Sequence, residues 1–373
     1  MIYDYIIIGG GIAGSSIAYF LDQKSPNSKI AIIDKNNNIA DGASGAAGAF
    51  LSPLLGKPNE FKTLVNNALR FSTNFYAQNF PTLFSQKGVL RVPKDDNDRV
   101  KFQSYKPYMD FEYTQKQIYN QDGYYFDIGS LISSAEVCQA MTKEIEFIPN
   151  TQISTLEFIN NKWILNNSFE AKNIILSTGA DISLLDNNLE ANYIQIRPVW
   201  GQRVICTTTS NIEFNLHKAH SISPTKPYKD ELNLISIGAT HKRGVLEADI
   251  SDEDNKYLMQ YAKDEFGVQN LKLLKAKAGA RASSYDYFPI IGKVIDTKST
   301  LAQYPYLKKG SKVPNDKFSR YKNLYIFNGV GGRGFVLSPY LADKLSNMII
   351  NNQDIESNLV CDRLFIRYVR KIG

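Results

Sequence analysis

The chain has 373 residues, with 43 lysines and arginines against 37 aspartates and glutamates, and a formal net charge of +6. A hydrophobic content of 43% is typical of a globular protein, and the length exceeds one simple core, so we expect a soluble two-domain enzyme; the lack of a membrane span and of a disulfide pattern favours the cytoplasm. No apolar run is long enough to predict a membrane span, and three scattered cysteines (Cys138, Cys206 and Cys361) suit neither a disulfide framework nor a metal site.

The first 34 residues have the pattern of a dinucleotide-binding βαβ unit. An apolar strand, a helical pattern and a second apolar run follow one another, and the second run ends at Asp34. Gly9 permits a tight turn, Gly11 lets the backbone approach a pyrophosphate, and Gly14 lets helix and strand pack closely. The helix start binds phosphates, and an acid about 20 residues later binds a ribose. The predicted adenine-dinucleotide contacts are Gly9, Gly11, Ile12, Ala13, Gly14, Asp34 and Lys35.

The remaining pattern predicts that this nucleotide-binding domain is discontinuous. After the glycine-rich segment at 42–48, helices are predicted at 57–80, 134–143, 252–266 and 338–350. Single strands are predicted at 87–93, 145–148, 173–176 and 324–328. A β-meander is predicted at 153–169, and an antiparallel sheet over 190–280, which the helix at 252–266 interrupts. We therefore predict one domain from 1–86, 128–188 and 282–350, a substrate domain from 87–127 and 189–281, and a basic tail at 351–373.

A second glycine-rich helix start favours a flavin over a nicotinamide. The strand at 324–328 opens into the loop Gly329–Gly334, and a helix end of this kind stabilises negative charge on a reduced flavin. The three histidines (His217, His220 and His241) have neither a metal-ligand nor a triad spacing, so we expect them to be surface or strand residues.

These glycine-rich segments, together with the turn Ser177–Gly179, resemble the D-amino-acid-oxidase superfamily, which includes glycine oxidase and sarcosine oxidase. A closer resemblance is to the FAD-dependent domain of the MnmC family of bifunctional tRNA wobble-uridine modification enzymes. It is carried by residues 45–55, 197–202, 238–240, 254–255, 281–292, 332–334 and 338–339. Because the flavin fingerprint begins at residue 4, we expect a stand-alone oxidoreductase without the methyltransferase half.

The resemblance implies an α/β fold with a Rossmann-like FAD-binding domain and an antiparallel-sheet substrate domain. Relatives that tether FAD covalently use Cys or His near the flavin, and neither 42–53 nor 329–339 contains either, so we expect non-covalent FAD. The further predicted FAD contacts are Ala43, Ser44, Gly45, Gly48, Thr178, Gly179, Gly331, Gly332, Arg333 and Gly334.

The implied reaction removes the carboxymethyl group from 5-carboxymethylaminomethyl(-2-thio)uridine at the tRNA wobble position, giving the 5-aminomethyl uridine and glyoxylate. The substrate carboxylate requires a cation, for which Arg281 is the first candidate and Arg333, facing flavin or substrate, the second. Gln202 and Tyr287 are weaker candidates for the pocket wall, and a core or strand role is the competing interpretation for both. No metal is required.

A basic segment near the C-terminus is interleaved with aromatic residues, which indicates a phosphate-backbone footprint for the tRNA anticodon stem-loop. Its cations are Lys308, Lys309, Lys312, Lys317, Arg320 and Lys322, its candidate stacking residues are Tyr304, Tyr306, Phe318 and Tyr321, and the tail adds Arg367 and Arg370. The competing interpretation is a solvated loop followed by a frayed tail. We expect a monomer, because tRNA requires an open face.

Two rival functions stay open at this point. A small-molecule amine oxidase acting on glycine, sarcosine or a D-amino acid would share every flavin and carboxylate motif. A flavoprotein that binds RNA without oxidising it would have no need of Arg281 and Arg333. The basic segment favours tRNA over a free amino acid.

Overall fold

A computed structural model of the chain describes residues 2–372. The strands are β1 Ile2–Ile8, β2 Ile30–Ile33, β3 Phe50–Leu51, β4 Phe84–Ser85, β5 Val89–Arg91, β6 Thr114–Ile118, β7 Gln121–Phe126, β8 Ser130–Ile132, β9 Glu146–Ile148, β10 Leu156–Ile159, β11 Lys162–Leu165, β12 Phe169–Leu176, β13 Ile196–Thr208, β14 Asn215–His217, β15 Ser221–Ile222, β16 Lys226–Pro227, β17 Asn233–Gly238, β18 Lys242–Arg243, β19 Lys272–Ser284, β20 Ile290–Ile295 and β21 Arg320–Asn328.

The α-helices are α1 Ile12–Lys24, α2 Ala43–Ala46, α3 Glu60–Asn79, α4 Asp96–Tyr105, α5 Ser134–Met141, α6 Ser183–Leu189, α7 Asp252–Phe266, α8 Thr297–Gln303, α9 Gly334–Asn351 and α10 Asp362–Val369. Short 3-10 helices occur at Lys106–Tyr108, Pro305–Lys309, Asn315–Lys317 and Gly331–Arg333.

The first sheet has the strand order β9-β2-β1-β12-β21-β20, in which the first five strands are parallel and β20 is antiparallel. The hairpin β10–β11 pairs with the first part of β12. The central strands are almost continuously apolar because both faces are covered, as is usual for parallel strands. Helices α1, α3, α5 and α9 pack over one face, and α6 and α10 pack over the other.

The second sheet is built mainly from the long pair β13 and β19, flanked by β17, β15, β14, β5, β7 and β6. All its pairs are antiparallel except β5 with β14. Helix α7 covers one face, with Leu258 and Phe266 in a core that includes Val204 and Ile237. A third, small sheet has the order β3-β8-β4. The predicted fold class is confirmed, whereas the domain boundaries stay a prediction.

The helix predicted from Ser338 begins one turn earlier, at Gly334, so Pro339 lies inside it. Proline has no N–H to donate to the carbonyl four residues before it, which here is Phe335 O. The Tyr76 hydroxyl donates to that carbonyl at 3.1 Å, and Ser72 Oγ donates to Val336 O at 2.7 Å. Tyr76 of α3 thus replaces the missing bond and Ser72 adds a second contact between the helices, a compensation that no local pattern reveals.

The interpretation of the C-terminus as a frayed tail is wrong for residues 362–369. Helix α10 buries Phe365, which packs against Tyr193 and Phe318. Arg320 Nη2 donates to Asp362 Oδ1 at 2.7 Å, and Arg363 Nε donates to Asp286 Oδ2 at 2.9 Å. The same packing corrects the stacking role predicted for Phe318, since its ring is in the core.

No helix within residues 2–372 is both long and apolar enough to cross a membrane. Over that same range, no group of three or more His, Cys, Asp and Glu side chains is arranged to hold a metal ion.

Candidate active site

The carboxyl ends of the central parallel strands meet at one edge of the first sheet, where β1 runs into Gly9. Gly9 has φ +108°, and a Cβ there would overlap the carbonyl of Ser177. A Cβ on Gly14 would overlap the carbonyl of Gly9. Only glycine therefore permits α1 to begin this close to the strand ends, which leaves the helix N-terminus free to face a ligand.

Asp34 lies at the end of β2, as a ribose-binding acid should. Its Oδ2 accepts from Gly10 N at 2.6 Å, and its Oδ1 accepts from Asn36 N at 2.8 Å. The Asn36 side chain donates a further bond to Oδ1, so three hydrogen bonds reach this carboxylate. Because a carboxylate can accept about four, one acceptor position remains for a ribose hydroxyl. Lys35 instead forms an ion pair with Asp181 at 3.0 Å.

The glycine-rich segment at 42–48 is fixed by cations of the second sheet. Arg203 Nε donates to Ala46 O at 2.9 Å and Lys277 Nζ donates to Gly45 O at 3.2 Å, at the carbonyl end of α2. On its other side, Ser44 Oγ accepts from Ile12 N at 2.9 Å. The segment is thereby held between the start of α1 and the strands β13 and β19.

A cavity of about 670 Å³ lies between the strand ends of the first sheet and the pair β13 and β19. Most of the predicted site residues line it: Gly11, Ile12, Ala13, Ala43, Ser44, Gly48, Gly179, Arg281, Tyr287, Gly331, Gly332, Arg333 and Gly334. The predicted residues outside its wall are Gly9, Gly14, Asp34, Lys35, Gly45, Thr178 and Gln202.

The cavity fits a long dinucleotide. The helices α1 and α9 begin side by side, and a Cβ on Gly334 would lie 2.9 Å from Ile12 Cγ2. Their N-termini offer two positive ends to phosphates and to a ring that gains negative charge. The hydroxyls of Ser177 and Thr178 are buried with no hydrogen-bond partner among residues 2–372, and Ser177 lines the cavity. Buried hydroxyls are normally paired, so a bound ligand is the natural partner of Ser177, the one of the two that lines the cavity.

Arg281 enters the cavity from β19 and is not part of any ion pair found among residues 2–372. Its Nη1 donates to Thr240 O at 3.2 Å, and its guanidinium lies against Gly201, where a Cβ would approach Nη2 to 2.5 Å. Burial lowers the pKa of Arg281, yet an arginine stays charged at neutral pH. A desolvated, uncompensated guanidinium is a strong site for a carboxylate.

Arg333, in the loop Gly329–Gly334, adds a second positive charge that has no acidic partner among the described residues. Burial lowers its pKa to about 10, and its Nη1 donates to Ser52 O at 3.4 Å. Arg91 lies nearby on β5, where burial and the charge of Arg333 lower its pKa to about 9. Neither arginine has an acidic partner among the described residues. Within residues 2–372, the cavity wall contains Arg281 and Arg333 but no acidic residue, so it is positive and suits an anionic substrate.

The structure places the two weaker candidates, Gln202 and Tyr287, in different surroundings. Gln202 is fully buried: its Nε2 donates to Asn255 Oδ1 at 2.7 Å and its Oε1 accepts from Ser251 N at 2.8 Å. Its amide thus ties β13 to the start of α7, outside the cavity wall, which is the core role. Tyr287 lines the cavity and is 58% exposed.

All three histidines line the cavity, which the sequence expectation missed. Burial, with Arg91 and Arg333 next, lowers the pKa of His217 well below its usual value. Burial also lowers the pKa of His220, and partial desolvation with the charge of Arg281 lowers that of His241, which is otherwise exposed, to about 4. Their spacing carries no signal, because His217 lies on β14, whereas His220 precedes β15 and His241 precedes β18, and only the pairing of these strands within the second sheet brings the three to one cavity.

A family profile described as FAD dependent oxidoreductase matches residues 4–348, and the chain belongs to this family. The protein is therefore an FAD-dependent oxidoreductase, as its sequence predicts. Non-covalent attachment of FAD stays a prediction. It depends only on the absence of Cys and His from residues 42–53 and 329–339, because three histidines from other segments do line the cavity.

Among curated proteins, the chain is similar to the tRNA 5-methylaminomethyl-2-thiouridine biosynthesis bifunctional protein MnmC. It is 24% identical to that of Legionella pneumophila (strain Philadelphia 1) over 92% of this chain and 54% of the relative. With that of Vibrio campbellii it shares 22% identity over 98% of this chain and 59% of the relative. The chain thus spans little more than half the length of these relatives.

Solved structures share the fold. Glycine oxidase from Bacillus cereus has a TM-score of 0.75 at 18% identity, covering 94% of this chain and 96% of that one. L-proline dehydrogenase from P. horikoshii has a TM-score of 0.71 at 15% identity, covering 95% and 94%. L-alpha-glycerophosphate oxidase from Mycoplasma pneumoniae, solved with FAD bound, has a TM-score of 0.68 at 15% identity, covering 94% and 95%.

Proposed function

We propose that this protein oxidatively removes the carboxymethyl group from 5-carboxymethylaminomethyl(-2-thio)uridine at the wobble position of tRNA. In the net reaction the secondary amine loses two hydrogens and takes up one water, which yields the 5-aminomethyl uridine and glyoxylate. The observation that carries the proposal is a pair of partly buried arginines, Arg281 and Arg333, that line the cavity without an acidic partner among residues 2–372.

Arg281 binds the carboxylate of the substrate through its planar fork, which fixes the direction of the adjacent CH2 group. Gly201 leaves room for the guanidinium, since a side chain there would displace it. Bound FAD supplies the two-electron oxidation of the carbon–nitrogen bond. Orientation, more than a strong base, is what such a reaction requires from the protein, which agrees with the low histidine pKa values.

Two observations favour tRNA over a free amino acid. The similarity to the MnmC relatives extends over 92–98% of this chain. The cavity also opens at an edge where Tyr287 and Arg243 are exposed, so a nucleotide attached to a large RNA can enter it. We propose a monomer that acts in the cytoplasm.

Phosphate contacts are proposed for the exposed cations Lys308, Lys309, Lys312, Lys317, Arg367 and Arg370. Arg320 is withdrawn from this set, because its guanidinium makes a two-pronged contact with the buried Asp362.

The test is anaerobic reduction of the purified yellow protein. We expect tRNA carrying 5-carboxymethylaminomethyluridine to bleach the flavin and to release glyoxylate in equal amount, while tRNA lacking the modification does neither. Glycine, sarcosine and D-alanine are the comparison substrates. Bleaching by these amino acids and not by the modified tRNA would refute the proposal.

The second candidate is a small-molecule amine oxidase, which the shared fold with glycine oxidase favours. It predicts saturation by a free amino acid and no response to tRNA. A protein that bleaches with none of the substrates would instead be an RNA-binding flavoprotein without this oxidase activity.

A further inference from the structure

The turn between β19 and β20 holds two tyrosines in solvent beside the mouth of the cavity. Tyr285 is 48% exposed and Tyr287 is 58% exposed. The guanidinium of Arg197 lies 4.5 Å from the ring centroid of Tyr285 and 5.3 Å from that of Tyr287. We call Arg197, Tyr285 and Tyr287 the rim platform. Arg197 and Tyr287 also line the cavity, so the platform is continuous with its wall.

The turn is held by several hydrogen bonds, although its rings are exposed. Asp286 accepts from Arg363 Nε at 2.9 Å, and Arg363 Nη2 donates to Phe288 O at 2.9 Å. Arg197 Nη2 donates to Tyr285 O at 2.6 Å. Tyr287 has φ +69°, a conformation that bulky residues rarely adopt. The fold therefore fixes two aromatic rings in water and accepts backbone strain to do so, which is unusual unless the rings contact a partner.

The charges around the platform are positive. The only acid within the turn, Asp286, is neutralised by Arg363. The ammonium of Lys371 lies 5.8 Å from the centroid of Tyr285, and Arg367 and Arg370 are exposed on and just after α10. Exposed aromatic rings flanked by cations are the pattern by which proteins bind unpaired nucleobases, the rings stacking on bases and the cations contacting phosphates.

We propose that the rim platform stacks on an unpaired base of the RNA loop that carries the substrate uridine, next to the base that enters the cavity. This inference depends on the proposed function, because it identifies how the same site distinguishes an RNA loop from a free amine. The platform would replace the stacking within the loop that the wobble base gives up when it turns into the cavity.

Variants of Tyr285 test the platform, since this residue lies outside the cavity wall. We expect Tyr285→Ala to raise the KM for modified tRNA roughly 5- to 100-fold, the usual range for one base–aromatic stack. The KM for the free 5-carboxymethylaminomethyluridine nucleoside should stay within about twofold, and Tyr285→Phe should restore the tRNA value. Tyr228→Ala is the control, because Tyr228 is 44% exposed but follows β16 in the second sheet and belongs neither to the rim platform nor to the cavity wall.

A binding assay keeps the platform distinct from the reaction. An anticodon stem–loop RNA with 2-aminopurine beside the wobble position should decrease in fluorescence on binding to the wild-type holoenzyme, through stacking. Tyr287→Asn, which removes the ring but tolerates a positive φ, should abolish that decrease, whereas Tyr287→Phe should retain it.

The outcomes separate the two ideas. Equal KM increases for tRNA and nucleoside, or unchanged values for both, would overturn the platform while leaving the proposed function intact. If the wild-type protein oxidises no tRNA, the proposed function fails, and the fluorescence assay then decides the platform: quenching that depends on Tyr287 supports it, and quenching that is absent or unaffected overturns it.

Discussion

Arg281 and Arg333 keep their charges in the cavity although burial lowers the pKa of each. A buried cation without an acid is unfavourable unless a ligand supplies the opposite charge. The three histidines do not add to this charge, because their pKa values lie below neutrality. The arginines therefore define the anion-binding capacity of the site at neutral pH.

Replacing Arg281 should affect substrate binding much more than protein stability. A hydrogen bond to a charged group contributes about 1.5–3 kcal/mol, so Arg281→Ala should raise the KM for the modified nucleoside at least about tenfold. Arg281→Lys should recover only part of this affinity, because an ammonium lacks the planar fork. Steady-state kinetics at matched flavin content give the measurement, and Arg99→Ala on the exposed helix α4 is the control. An unchanged KM would exclude Arg281 from carboxylate binding.

His217 should make the stability depend on pH. Its folded-state pKa lies well below 6.5, mainly through burial, so it is neutral in the folded protein while the unfolded chain takes up a proton as the pH falls through about 6.5. The unfolded state then binds more protons, and stability decreases on acidification. Between pH 7.5 and 5.5 this one group should remove up to about 1.4 kcal/mol of unfolding free energy.

Urea denaturation of the wild type and of His217→Asn at both pH values isolates this effect. The variant should be destabilised less by acidification than the wild type, because an amide does not titrate. Equal decreases in the two proteins would show that His217 is not responsible.

At the level of elements, the site depends on how closely helices approach strand ends. Helix α1 begins against β1 only because Gly14 lacks a side chain, and α2 is held by Arg203 and Lys277 from the second sheet. The first contact is local in sequence and the second links residues more than 150 positions apart. Only the first contact can therefore be recognised in the sequence, from the spacing of its glycines.

Alanine at position 14 should weaken FAD binding, although alanine is normally about 1 kcal/mol better than glycine inside a helix. Its Cβ would overlap Gly9 O, and relief of the overlap must move α1 away from the phosphate site. Overpacking of this kind costs about 1–3 kcal/mol, so the dissociation constant for FAD should rise roughly 5- to 100-fold. Fluorescence titration of the apoprotein with FAD measures it. Gly42→Ala, where a Cβ meets nothing within 4 Å, should leave the affinity nearly unchanged.

The same distinction between local and long-range contacts explains which parts of the molecule were predictable. Helix α7 was predicted with its observed bounds, because its acidic first turn and apolar spacing are local signals. Three other features were not predicted: the histidines that line one cavity, the hydrogen bond from Tyr76 near Pro339, and the burial of Phe318 against α10. Each of these depends on strand pairing or packing between residues far apart in the chain.

At the scale of the whole molecule, β21 separates two basic regions. It runs from Arg320 to Asn328, which at about 3.3 Å per residue is about 26 Å. The exposed lysines before β21 therefore lie near one end of this strand, while the loop Gly329–Gly334 and the cavity lie at its other end. When the wobble base of a tRNA lies in the cavity, the phosphates that contact these lysines must therefore belong to a part of the RNA remote from that base.

Neutralising three of these lysines should therefore weaken tRNA binding without changing the chemistry. For a variant with Lys308, Lys309 and Lys312 all changed to Gln, we expect a higher KM for modified tRNA and an unchanged KM for the free nucleoside. The slope of log affinity against log salt should become shallower by about 0.7–0.9 for each phosphate that the variant no longer neutralises, because fewer counterions are released.

A triple variant of Lys263, Lys272 and Lys275 to Gln is the matched control, because these lysines are also exposed but belong to α7 and β19 in the second sheet. It removes the same charge from a different surface and should leave the salt slope unchanged. Equal changes in the two triple variants would mean that only net charge attracts the RNA. A shallower slope in the first variant alone would mean that tRNA extends from the cavity to the other end of β21. The rim platform would then position the loop, and the lysines would bind the body of the RNA.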